Sequence, residues 1–286
     1  MGFDIRDEVA TIGGMKIPLL ALFVLISGFA HADDSSTSGL TPELLEAFEA
    51  AVFHDEDLSL PYRLFTPRGA DETDRRPLLL FLHGYGERGD DNQRQLMHGG
   101  KLFASPEFQG RYGAYVLAPQ CPAVKKLGTD KPITWSIALR PTDVTPSTNL
   151  EDDPSIAMQA ARRLVDKLIA ELPIDPKRVY VAGLSMGGYG TWEMAAREPD
   201  FWAAAAPICG GGNPAWGQRL SKLPLWAFHG DKDDAVPVVR SQEMIVAINT
   251  AGGRALYTEY PGVNHGSWTP TLQSQQVWDW LFAQRR

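Results

Sequence analysis

The chain has only two cysteines, Cys121 and Cys209, too few to build a disulfide framework. A hydrophobic core must therefore hold the fold, and 286 residues are ample for one. Each cysteine follows a predicted strand, and spacing alone leaves them open as one bridge or as two buried thiols. Basic charge is also in short supply. Lys and Arg number 27 against 35 Asp and Glu, a net charge of -8, and no Lys/Arg-rich run occurs. Phosphate backbones and anionic membranes find no electrostatic attraction here, so no nucleic-acid partner is expected. No internal repeat or low-complexity tract appears.

A bilayer-spanning run of about eighteen apolar residues is missing as well. The apolar run from Ile17 to Phe29 is shorter and contains Pro18. Met15-Lys16 precede it and Ala30-His31-Ala32 follow, the small-x-small pattern of a signal-peptidase site. Asp4, Asp7 and Glu8 do not suit the positive start of a signal peptide, which points to Met15 as the true first residue. The expected division is an N-terminal extension and signal peptide over 1–32, cleaved after Ala32, then one domain over 33–286. That places the mature protein outside the cytoplasm, secreted or periplasmic, with no stable membrane anchor.

The mature region carries continuous apolar runs rather than alternating ones. Pro77 to Leu82 is the first, and the type returns at Ala114–Ala118, Val179–Ala182, Ala203–Pro207, Pro224–Phe228 and Ala255–Tyr260. Such runs fit strands covered on both faces of a parallel sheet. Helix-period segments separate most of them. The clearest is Pro154 to Leu172, with Ile156, Ala160, Leu164, Leu168 and Leu172 on one face and Asp152 or Asp153 as the expected cap. Buried strands alternating with amphipathic helices predict an α/β fold with a doubly wound sheet and ligand sites at the carboxyl ends of its strands. The longest irregular stretch, Gln120 to Asp153, is rich in Pro and Thr.

Gly183-Leu184-Ser185-Met186-Gly187 joins one such strand to a helix-like segment. A serine hydroxyl is a weak nucleophile, so a fold that uses it exposes Oγ on a tight strand-to-helix turn beside a base. An acid and a histidine should then follow in that order, each after a later strand. Both are present, in His229-Gly230-Asp231-Lys232-Asp233-Asp234 and in Asn264-His265-Gly266. Among the six histidines, His31 leaves with the signal, His83 and His229 precede strand-end glycines, and His54 and His98 lie outside such motifs, leaving His265 as the base. Spacing leaves Asp231, Asp233 and Asp234 all open as the carboxylate that orients it. The acidic cluster lacks the glycine and terminal glutamate of a calcium loop, so no metal is expected. Oxyanion donors are expected at the Met186 amide and, from His83-Gly84-Tyr85-Gly86, at the Tyr85 amide.

These motifs, with Ala118-Pro119-Gln120-Cys121-Pro122 and Pro207-Ile208-Cys209-Gly210-Gly211, resemble the α/β-hydrolase superfamily. Within it the chain is similar over residues 55–286 to secreted bacterial esterases of the dienelactone hydrolase, feruloyl esterase and phospholipase/carboxylesterase type. The resemblance implies a mostly parallel sheet of about eight strands, an acyl-enzyme on Ser185, no metal or organic cofactor, and Asp233 as the acid, four residues after the histidine of His-Gly. Similar sequences are often called prolyl-oligopeptidase-like, but no propeller-sized N-terminal domain is present here. Only about seventeen residues separate Pro207 from Pro224, too few for a large cap domain. Trp135, Tyr189 and Trp268 are the expected substrate-binding aromatics, whereas Trp192 and Trp202 read as core.

The expected activity is hydrolysis of short-chain or aromatic carboxylic esters, feruloyl or acetyl esters among them. A peptidase or lysophospholipase with the same triad is the enzymatic alternative. A non-catalytic binding protein on a hydrolase scaffold is the alternative of another class. The sequence leaves the oligomeric state open.

Overall fold

The computed structural model describes residues 11–12, 15–16, 40–56, 58–124, 133–137 and 150–286. The expected signal peptide lies outside the described residues, apart from a two-residue antiparallel pairing of Thr11–Ile12 with Met15–Lys16. Most of the Gln120–Asp153 stretch also lies outside them. Among the described residues no helix is long and apolar enough to cross a membrane.

Eight strands form one sheet: β1 Glu49–His54, β2 Ser59–Phe65, β3 Arg76–Leu82, β4 Tyr115–Pro119, β5 Ile174–Leu184, β6 Ala204–Ile208, β7 Trp226–Gly230 and β8 Leu256–Tyr260. Their spatial order is β8-β7-β6-β5-β3-β4-β2-β1. β1 and β2 pair antiparallel, as do β2 and β4, while every pairing from β4 through β8 is parallel. The apolar runs behave as strands buried on both faces. In β3, Leu78, Leu80 and Leu82 enter the core on one side and Leu79 and Phe81 the core on the other. Val179 and Val181 of β5 join the first core, Tyr180 and Ala182 the second. Each such side chain stabilises the fold by about 1.5–3 kcal/mol, which fixes the register because a one-residue slip would exchange the faces.

The helices are α1 Pro42–Ala47, α2 Gly100–Ala104, α3 Pro106–Tyr112, α4 Ile156–Glu171, α5 Met186–Arg197, α6 Gly217–Leu220, α7 Val239–Thr250, α8 Trp268–Gln273 and α9 Gln275–Ala283. Buried residues of α4, α5, α6 and α7 supply the first core, and those of α2, α3, α8 and α9 the second. The predicted helix over 154–172 is present as α4. Its cap differs from the expected Asp152 or Asp153, because Ser155 Oγ accepts the Met158 amide at 3.1 Å. That bond places Pro154 outside the helix. Between β6 and β7 lie only a short turn at Pro214–Trp216 and α6, in line with the short spacing there.

The long β4–α4 connection is anchored on α5. Glu193 is fully buried and pairs with Arg197 one turn on, at 2.7 Å. Glu193 Oε2 accepts from Ser136 Oγ and from the Ile137 amide, and Arg197 donates to the Leu150 carbonyl. One buried ion pair thus holds both sides of the connection against the helix that begins at Ser185.

Candidate active site

Four loops meet at the carboxyl edge of the sheet, after β3, β5, β7 and β8. Ser185 ends β5 with φ 53° and ψ -115°, a conformation that costs a non-glycine residue on the order of 1–3 kcal/mol. Two close approaches explain the flanking glycines: a Cβ on Gly187 would lie 2.0 Å from the Leu82 carbonyl oxygen, and one on Gly183 2.6 Å from that of Gly187. No larger residue fits. The Ser185 amide donates to Ile208 O at 2.9 Å, which ties the turn to β6.

His265 Nε2 lies 2.8 Å from Ser185 Oγ, and its Nδ1 lies 2.7 Å from Asp233 Oδ2. A carboxylate only accepts, so Nδ1 carries the proton and Nε2 is left to accept from the serine. The Asp233 side chain is fully buried. Burial by itself raises its pKa, but His229, His265 and the Val236 amide together outweigh that and hold the carboxyl well below the usual carboxylate range. Its other oxygen accepts the Ala235 and Val236 amides. Of the three aspartates that spacing left open, Asp231 instead accepts the Gly262 amide, and Asp234 is exposed.

Two histidines read from sequence only as strand-end residues brace this arrangement. His229 is fully buried, with Nε2 3.1 Å from Asp233 Oδ2 and Nδ1 2.8 Å from Ser241 Oγ. His83 is buried after β3, where its Nε2 accepts the Cys121 amide at 2.9 Å. Its Nδ1 therefore carries the proton and donates to Gly84 O at 2.6 Å. In a trans peptide the carbonyl and N–H point opposite ways, so this bond turns the Tyr85 amide away from His83. Among the described residues neither the Tyr85 nor the Met186 amide has an acceptor. Their sequence signal was the His-Gly dipeptide itself, which gives a turn but not the direction of the ring.

His83 yields an expected result in solution. Burial pushes its imidazole down to about 4 from the ordinary 6.5. Between those values the unfolded chain binds a proton that the folded one refuses. Stability is therefore full above the ordinary value and falls as the pH drops toward 4, by on the order of 3 kcal/mol. Urea denaturation of wild type and His83→Asn at pH 7 and pH 4.5 should show the variant less stable but flatter with pH. Equal losses in both proteins would rule out His83 as the source.

The expected pocket aromatics divide. Trp268 is half-buried and sets its ring at 89° to His265, with centroids 5.3 Å apart. Tyr189 lies one turn beyond Ser185, buried, its hydroxyl without a hydrogen-bond partner among the described residues. Trp135 is corrected: it has no exposed surface and donates Nε1 to His83 O, with its ring edge-on to that imidazole. It supports the β3 loop from beneath instead of lining a pocket, because Gly190 of α5 leaves a gap that its Cβ fills. Trp192 and Trp202 are core residues, as expected.

Cys121 and Cys209 are both buried free thiols. Cys209, at φ 38°, brings Sγ within 4.8 Å of an Asp233 oxygen and a His265 nitrogen. Burial pushes this thiol well up, away from the thiolate a metal would require. It packs under the acid–base pair as a small apolar wedge.

A parallel-centred sheet of this order, with a serine on the β5 turn and partners after β7 and β8, defines the α/β-hydrolase fold. The chain belongs to the phospholipase/carboxylesterase family, whose model matches residues 70–278. A solved thermostable esterase is 38% identical, with a TM-score of 0.75, covering 85% of this chain and 64% of that one. NocK of Nocardia uniformis subsp. tsuyamanensis, named as an esterase, is 32% identical over 179 residues, 62% of this chain. This chain spans only 46% of NocK. A rice protein (Oryza sativa subsp. japonica) named as a carboxylesterase is 27% identical over 222 residues, 74% of this chain and 80% of its own.

Proposed function

We propose that the protein is a serine carboxylesterase that hydrolyses short-chain or aromatic carboxylic esters through an acyl-enzyme. The observation that carries this reading is the unbroken line of hydrogen bonds from Ser185 Oγ through His265 to Asp233, beside two amides with no acceptor. Ser185 Oγ attacks the ester carbonyl carbon as its proton passes to His265 Nε2. The carbonyl oxygen gains negative charge and is held by the Tyr85 and Met186 amides. When the carbon–oxygen bond to the alcohol breaks, the departing oxygen takes the proton from Nε2 and Ser185 is left acylated. Water then attacks the acyl carbon and gives a proton to His265 Nε2, which passes it to Ser185 Oγ as the acyl–oxygen bond breaks, releasing the carboxylic acid and restoring the free serine. Membership of a family of carboxylesterases and relatives named as esterases support the same reading. Trp268, against the base and half-buried, is suited to an acyl or aryl wall. Secretion or export to the periplasm belongs to the proposal on the strength of the leader-like sequence over 15–32.

The test compares p-nitrophenyl acetate with a prolyl-amide chromophore and treats the protein with an organophosphonate. Faster ester turnover and a single adduct on Ser185 are expected. Faster amide turnover would assign a peptidase instead, and absence of any adduct would make the chain a binding protein.

A further inference from the structure

Arg240 is a guanidinium almost without partners. It is 6% exposed, and among the described residues no hydrogen bond engages its side chain; its nearest acid is Glu243 Oε2, a loose ion pair at 3.8 Å. Its five donors therefore keep only slight access to solvent and remain open to a ligand. Tyr189, 3% exposed, lies near it and has a hydroxyl that is also without a partner among the described residues. Gly211, just after β6, is what brings the two together. A Cβ at Gly211 would lie 2.7 Å from Arg240 Cβ and 3.4 Å from Tyr189 Cε1, so the arginine stem and the phenol ring close over a residue that must be glycine.

The place is next to Ser185. Tyr189 N donates to Ser185 O at 3.0 Å, and β6, which Gly211 follows, lies between the strands that precede Ser185 and Asp233. Arg240 stands in the first turn of α7, a twelve-residue helix whose N-terminal amides add positive potential at the same point. Of the carboxylates nearby, Asp233 is already held by His229, His265 and two backbone amides, and Glu243 pairs only loosely with the guanidinium; both unpartnered side chains offer donors. The ligand they fit is an acceptor carrying negative charge.

We propose that Arg240 and Tyr189 form an anion subsite beside Ser185 that takes a carboxylate borne by the ester substrate. This deepens the carboxylesterase reading and rests on it: the preferred substrates become half-esters, hydrolysed at one end and held by a free acid group at the other. A carboxylate fits better than a phosphate. One planar fork and one hydroxyl match two coplanar oxygens, whereas a phosphate presents a third oxygen and more charge to a site with a single cation.

The experiment pairs monoethyl glutarate with ethyl pentanoate, equal in chain length and differing in the terminal carboxylate, with acid release followed in a pH-stat. Wild type is expected to favour the half-ester at least tenfold in kcat/KM, through KM. Arg240→Gln should bring the ratio close to one, Tyr189→Phe should lower it about threefold, and Arg240→Lys, which keeps the charge but not the fork, should retain part of it. No preference in wild type, or equal loss on both esters in Arg240→Gln, overturns the subsite. So does a drop in lysophospholipid hydrolysis with Arg240→Gln that leaves the half-ester ratio unchanged, since the site would then hold a phosphate. Calorimetry of glutarate against pentanoate on Ser185→Ala separates the two proposals. Glutarate binding that vanishes when Arg240→Gln is added upholds the subsite even if no ester is turned over, and in that outcome only the carboxylesterase reading fails. Should Arg240→Gln not give folded protein by circular dichroism, Arg240→Lys and Tyr189→Phe carry the same ratio test.

Discussion

Ser185→Ala should lower kcat roughly a millionfold and leave the fold in place. Among the described residues the hydroxyl is the group hydrogen-bonded to His265 Nε2, 2.8 Å away, and so placed to attack a carbonyl carbon as it gives up its proton. Without it the oxyanion amides and the binding surface persist, so a residual rate of about 10³–10⁴ over water is the floor. Stability should change by less than about 1 kcal/mol, because removing an oxygen from a partly exposed position opens almost no cavity. The backbone at position 185 supplies an internal control. At φ 53° and ψ -115° a glycine is comfortable and alanine is not. Ser185→Gly should therefore be equally inactive and at least as stable as Ser185→Ala, which separates the hydroxyl from the turn that carries it. Active-site titration of each preparation excludes trace wild type. A variant that keeps more than about a hundredth of the wild-type rate would require a different nucleophile.

The turn was readable in the sequence because its constraints are steric. Gly183 and Gly187 meet backbone oxygens closer than any side chain permits, and such contacts admit glycine alone, which is legible as a residue pattern. The strands were readable for a related reason: burial on two faces forces continuous apolar runs such as Leu78 to Leu82. What the sequence did not disclose is where side chains point once the chain leaves a strand. Trp135 lies in an irregular segment without periodicity, so nothing in its neighbours distinguishes a pocket wall from a support beneath His83. His83 and His229 are alike in sequence, each a histidine before glycine, yet one holds the Gly84–Tyr85 peptide and the other contacts Asp233. Arg240 gave no signal at all. A single arginine early in a helix is ordinary, and what sets it apart is burial without a hydrogen bond among the described residues.

Asp233→Asn is expected to cost on the order of ten-thousandfold in kcat while keeping the geometry of the site. The reason lies in which way the amide must face. Oδ1 of Asp233 accepts two backbone amides, from Ala235 and Val236, and only an acceptor suits that side. The asparagine oxygen therefore takes the Oδ1 position and its NH₂ takes that of Oδ2, 2.7 Å from His265 Nδ1. An NH₂ there donates, so Nδ1 must accept and the imidazole proton moves to Nε2. A protonated Nε2 faces Ser185 Oγ as a donor and cannot act as its base. The wild-type pH profile provides a second reading of the same physics. Hydrogen bonds hold the Asp233 carboxyl below the usual range despite burial, so it stays ionised in weak acid, and protonation of this carboxylate should add no limb to the activity profile there. Stability follows the same sign: the contribution of Asp233 is present above the ordinary carboxylate value of 3.8 and is lost only as the pH falls through the lower folded one. Asp231→Asn retains an oxygen for the Gly262 amide and Asp234→Asn alters an exposed residue, so both should stay within a few-fold of wild type. Steady-state kinetics on the three variants decides the matter, since a near-normal Asp233→Asn beside an inactive neighbour would move the acid to that neighbour.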